Sequence, residues 1–238
     1  MSTRGMMSSS ASSGAAPGPS NTLNIQGSQI APDLRSMAIA SGWDQASKLF
    51  VNITAPYINR LVVSQSFPAG IEITIGANTI VSSDGSSAAL TASVPVSVRN
   101  LGQVLASGGN GGYGGLITVF YQSQAVSGYG GAGGAGAGFA PGSLAYSSTG
   151  GGGASGSSQT YTGPTFPGDV PATARGGDGG GGGGHGQAGL SGFPGSASGT
   201  YTSSSSSPPG GVGSPSNAVT GNSYITWLAT GTRTGAIT

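Results

Sequence analysis

Apolar and polar positions alternate along the first third of the chain. Ile71, Ile73 and Ile75 interleave with Glu72 and Thr74, the period of a half-buried strand. Thr22–Gln26, Leu49–Ala55, Arg60–Gln65 and Val94–Ala106 read the same way. They are rich in β-branched residues and separated by turn residues. One stretch keeps a helical period instead. In Pro32–Trp43, Leu34, Met37 and Ala38 share a face, Pro32 suits the first helical position, Asp33 the first turn and Gly42 the end. Leu116–Ser127 is apolar and strand-like. Near the C-terminus, Ile225, Trp227 and Ala229 alternate with Thr226, Leu228 and Thr230, which predicts a strand that closes the structure.

Composition divides the chain further. Eight of its 49 glycines lie before residue 101 and the other 41 after it. Four zones result: an arm at 1–20, flexible or anchoring; a β-rich attachment and oligomerisation module at 21–106; a glycine-rich region at 107–221; and a closing strand at 222–238. The module is long enough for a small sandwich or a β-solenoid-like layer, a marginal size that oligomerisation would help.

The glycines keep a threefold period over Gly177, Gly180, Gly183, Gly186, Gly189, Gly192 and Gly195. Three residues per turn is the period of an extended left-handed helix. A face without side chains lets two such backbones touch, provided each buried amide finds a partner on a neighbour. The expectation is therefore a mainly β fold: an N-terminal β-rich module, a polyglycine-II helix bundle, then a C-terminal β-strand. Collagen is the alternative for 177–197, disfavoured because Pro194 is the only proline among these triplets. A flexible linker is the other.

Between the glycine runs lie Gly138–Gly150, Ser157–Arg175 and Ser196–Pro209. They carry Phe139, Tyr146, Tyr161, Phe166 and Tyr201 among small polar residues. Rigid aromatics beside adaptable Ser, Thr and Gly are the chemistry of recognition loops. The plainer reading is that these rings plug the ends of the bundle.

Charge and special residues exclude more than they suggest. Charged residues are 5% of the chain, its net charge is +1 and it has no cysteine. No basic patch exists for a phosphate backbone, so no nucleic-acid partner is expected. No apolar run approaches the roughly 20 residues that cross a bilayer, so no membrane insertion is expected. The N-terminus lacks the apolar segment of a secretory signal. His185 is the only histidine and sits between glycines; it is read as a decoration rather than a catalytic or metal-binding residue. Gly109–Gly114 matches G-x-G-x-x-G only because glycine is common there. No enzyme activity, cofactor or metal is expected.

Val96–Gly115, a strand running through Asn-x-Gly into glycine, together with Ile225–Thr238, a terminal strand with Gly-Thr-Arg, resembles the glycine-rich tail-fibre and tail-tip proteins of tailed bacteriophages. The aromatic loops between glycine runs resemble the distal fibre adhesins of T-even-like phages. That resemblance implies stacked polyglycine-II helices with receptor-binding loops at their tip. It also implies a virion location, a homotrimer, attachment to other virion proteins through the N-terminal region, and a host polysaccharide or outer-membrane protein as receptor. The alternatives are a fibre or decoration protein on the capsid surface and an ice-binding protein.

Overall fold

A computed structural model describes residues 20–121 and 123–238, so the expected arm at 1–20 lies almost wholly outside them. Strands account for 35% and helix for 5%. The alternating segments do not form a sandwich. They wind into successive coils whose strands stack in parallel. The first coil holds β1 (Thr22–Ile25), β2 (Gln29–Ile30) and the helix α1 (Leu34–Ala40). The second holds β3 (Leu49–Ile53), β4 (Tyr57–Asn59) and β5 (Leu61–Val63). The third holds β6 (Ile71–Ile75), β7 (Ile80–Ser82) and β8 (Leu90–Ala92), and the fourth begins with β9 (Val96–Asn100) and β10 (Gln103–Leu105).

Here the winding is interrupted. The glycine-rich region, with its short strands β11 (Ile117–Tyr121) to β18 (Ser203–Ser206), intervenes before β19 (Asn217–Thr220) completes the coil. The fifth coil is β20 (Ile225–Ala229), β21 (Thr232–Thr234) and β22 (Ala236–Ile237). Three parallel sheets result, β1-β3-β6-β9-β20, β2-β4-β7-β10-β21 and β5-β8-β19-β22. The expected single closing strand is thus a whole further coil, and the glycine-rich region is an insertion into a β-solenoid.

Register explains the core. Leu23, Val51, Ile73, Val98 and Trp227 occupy paired positions in successive strands. The first four point inward and are buried. Each buried aliphatic side chain contributes about 1.5–3 kcal/mol, and the register stacks these side chains coil upon coil. The helix starts two residues later than its sequence suggests. Asp33 is its N-cap, accepting from the Ser36 amide at 3.0 Å, and Pro32 lies before the cap. Leu34 and Ala38 join the solenoid core and Met37 packs partly against it.

The expected polyglycine-II helix bundle is not seen. Among the described residues, no helix occurs between 107 and 221; short antiparallel strands, hairpins and extended segments fill that region, while the sheets of the fold as a whole are several and mostly parallel. A glycine period marks where backbones come close; it does not by itself make a helix. The seven-glycine run also folds back on itself. Gly186, at φ +67°, forms a turn with His185, so Gly177, Gly180 and Gly183 face the 187–195 segment.

Six extended segments, at 107–116, 129–137, 148–157, 176–184, 187–195 and 207–216, are stitched by backbone hydrogen bonds at every third residue. Gly108, Gly111 and Gly114 donate to Ala137, Gly134 and Gly131 at 2.8–2.9 Å. Gly131, Gly134 and Ala137 donate onward to Gly177, Gly180 and Gly183, which donate back to Gly115, Gly112 and Gly109. Three segments thereby satisfy one another's amides in a closed exchange.

Packing this tight makes a sharp prediction. A Cβ at Gly111 would collide with the Gly180 carbonyl, whereas at Gly152 it would meet nothing within 4 Å. Gly111→Ala should unfold the insertion while the solenoid persists. Gly152→Ala should be neutral or stabilise by about 0.5 kcal/mol. Hydrogen exchange of the two regions, read separately, checks both.

Candidate functional site

Because the six segments alternate in direction, their connections fall at two ends. Three lie far from the solenoid: the β11–β12 hairpin, with β12 (Gln124–Gly128); the connection around β15 (Ser158–Thr160) and β16 (Thr173–Arg175); and the turn between β17 (Ser196–Ser198) and β18. These far connections form two small antiparallel sheets, β12-β11-β18 and β15-β16-β17. The sheets share a core. Ile117, Val119 and Tyr121 are buried with Ala172 and Ala174, and Val126, Tyr161 and Ala197 pack against them.

Tyr121 organises the longest loop. Its ring lies 4.9 Å from that of Tyr161, and its hydroxyl donates to Asp169 and accepts from the Phe166 amide at 3.1 Å. The Asp169 amide returns to the Phe166 carbonyl at 3.0 Å. That closure leaves Phe166 65% and Val170 61% exposed. Val170 and Thr200 are joined by two hydrogen bonds, and the Thr202 amide donates to the Phe120 carbonyl at 2.7 Å. All three far connections therefore meet around Phe120, Phe166, Val170 and Tyr201, each exposed. The loops between the paired strands carry one charged side chain, Asp169, already held by Tyr121. The tip exposes four apolar side chains on connections rich in serine and threonine.

The aromatic candidates are divided between the two ends. Phe166 and Tyr201 stand exposed at the tip, with Tyr161 half-buried beneath. Phe139 and Tyr146 lie at the opposite end, on β13 (Gly138–Phe139) and β14 (Tyr146–Ser147), against Tyr57 of the solenoid at ring separations of 6.0 and 5.5 Å. His185 stacks on Tyr146 there. Its Nδ1 lies 2.7 Å from the Ala106 carbonyl, which can only accept, so Nδ1 carries the proton and Nε2 accepts from the Tyr146 hydroxyl at 2.8 Å. Burial raises the Tyr146 pKa, which keeps the phenol a donor. Phe120 and Val170 were not singled out from sequence. Phe120 had a signal: it sits at the outward phase of Ile117–Tyr121, where a polar residue is the norm.

Between tip and base, Asp178 ties two segments by accepting from the Gly156 amide at 2.9 Å and pairing with Arg175 at 3.0 Å. Its pKa is lowered, first by the Gly156 bond and then by Arg175.

In a comparison with protein families, residues 20–238 match the model described as phage tail fibre adhesin Gp38. Comparisons with curated proteins and with solved structures give no match.

Two predictions follow from the geometry. Tyr121→Phe removes the acceptor of a partly buried amide, costing about 1–3 kcal/mol locally, and hydrogen exchange at Phe166 should rise while the solenoid stays protected. The depressed Asp178 pKa contributes stability above the ordinary carboxylate range that is lost as pH falls through the folded value. Asp178→Asn keeps an acceptor for Gly156 and should flatten the acid limb of the insertion's thermal stability, read by melting from pH 2 to 7.

Proposed function

Since the chain belongs to the phage tail fibre adhesin Gp38 family, we propose that it grips its host through the far tip of the glycine-rich insertion. An adhesin of a tail fibre binds a receptor on the host surface. The observation that carries the assignment to the tip is the convergence of Phe120, Phe166, Val170 and Tyr201, exposed and uncharged, at the end furthest from the solenoid. Contiguous exposed apolar surface rimmed by polar residues marks interaction sites, and aromatics anchor such interfaces. A polysaccharide would use the ring faces and hydroxyls of the tip, and an outer-membrane protein its apolar area. The solenoid, at the other end, carries the chain on the rest of the fibre.

Phe166→Ser and Tyr201→Ser remove side chains exposed at the tip. Each should slow adsorption of phage to host cells by about 30-fold, the scale of a 2 kcal/mol anchor, with the melting temperature unchanged. Normal adsorption by the double variant would move the receptor site elsewhere on the chain.

A further inference from the structure

Where the insertion meets the solenoid, hydrogen-bonding capacity is left over. Among the described residues, the buried side-chain atoms without a partner include Asn59 Oδ1, Arg60 Nε, Ser82 Oγ and Ser107 Oγ. They are neighbours on successive coils. Asn59 pairs with Ser82, and Ser82 with Leu105, two residues before Ser107. Orphaned buried polar atoms are rare in folded proteins, and each calls for an explanation. Of the four, only Ser107 Oγ belongs to a residue that borders the cavity at this corner, and it is itself enclosed.

A cavity of about 520 Å³ opens at this corner, bounded by both parts of the chain. Its size falls in the range of small-molecule sites, roughly 300–1,000 Å³. Ser107 lines it and is 97% buried by a relative exposure of 3%. The Ser107 hydroxyl faces bare backbone, since a Cβ at Gly85 would stand 3.6 Å from its Oγ. Gly85 and Gly138 both have positive φ, +87° and +124°, so side chains are excluded from these walls by conformation. The Asn59 amide donates at 2.9 Å to the Ser143 carbonyl, in the 140–145 loop that covers the cavity.

The lining has a definite chemistry. Phe139, Pro141 and Tyr146 supply apolar surface, while Asp84 and Asn110 supply polar side chains. Asp84 is an acceptor, with Oδ1 shared by the Ser86 amide at 3.1 Å. Asn110 Oδ1 takes the Gly136 amide at 3.0 Å, which leaves its Nδ2 hydrogens as donors. The charge of Arg60 acts on Asp84 from outside the lining. A compact solute with an apolar C–H face and hydroxyls that both donate and accept suits Asp84 and Asn110 together.

We propose that this junction cavity is a ligand site, separate from the tip, that takes one neutral hexopyranose. The sugar hydroxyls bond to Asp84 and Asn110, and its C–H face lies against Pro141 and the exposed part of Tyr146. The site is independent of the receptor reading, and its failure would leave the tip assignment untouched.

Saturation-transfer NMR on the full chain, with glucose, galactose, mannose and N-acetylglucosamine offered singly, tests the site. At least one sugar should receive saturable transfer. Asp84→Ala should weaken it at least about tenfold, the scale of one lost charged hydrogen bond. Ser214→Trp, at an exposed position on the rim, should fill the mouth and abolish transfer without disturbing the core. Tyr201→Ser, at the tip, should leave it intact. No transfer from any of the four sugars overturns the proposal, as does transfer that survives Ser214→Trp or disappears with Tyr201→Ser.

Discussion

The carbonyl oxygen of Gly180 occupies the space where any other residue at position 111 would carry its Cβ. The same holds for Gly108 against Gly183 and for Gly114 against Gly177. Contact between bare backbones is the constraint on which the insertion depends. Side chains cannot form its interior, because the interior has no room for them. Cohesion comes instead from amides satisfied across segments at every third residue, and from the dispersion that close approach permits. Glycine is the residue hardest to order, at about 1–2 kcal/mol of backbone entropy per residue fixed. A lattice of this kind therefore holds only if its ends are held too.

The solenoid holds one end. The insertion leaves after β10 and returns at β19, two strands of a single coil, so both chain ends of the lattice start from a rigid base. Short polar clamps fix the seam: Phe139 to Ser83, Ser83 to Ser216, His185 to Ala106. The fifth coil then packs in parallel on the fourth, with Ile225 opposite Val96 and Thr232 opposite Gln103. At the far end the two small sheets do the same work with an apolar core centred on Val119 and Tyr121. Backbone packing in the middle is bracketed by ordinary side-chain packing on both sides.

Local features of this arrangement were legible in the sequence. The Ile71–Ile75 alternation, the helix over Leu34–Ala40 and the strand at Ile225–Ala229 all follow from period alone. Phe166 and Tyr201 stood out as aromatics in polar loops. What period cannot reveal is partnership. Parallel pairing of Val96 with Ile225 spans the whole insertion, and no residue near either strand announces it. Gly186 is a turn among glycines, indistinguishable in sequence from its neighbours, yet it reverses the chain. Missing that turn miscounts the segments. Loops alternate between near and far ends, so missing the turn would move the 196–206 connection, and Tyr201 with it, from the tip to the base.

This division also separates two kinds of tolerance. In the lattice, identity is dictated by carbonyls that leave space for hydrogen alone, and only outward positions such as Leu190 and Phe193, both exposed, escape that demand. At the tip, the demand reverses. The outer side chains of Phe120, Phe166, Val170 and Tyr201 rest on a frame set by Tyr121, Asp169 and the strand pairs beneath them. Exchanging an outer side chain leaves that frame, and every backbone contact behind it, unchanged. Side chains free to vary are thereby mounted on a lattice that is not, and the physical reason for both is which atoms, backbone or side chain, make the contact.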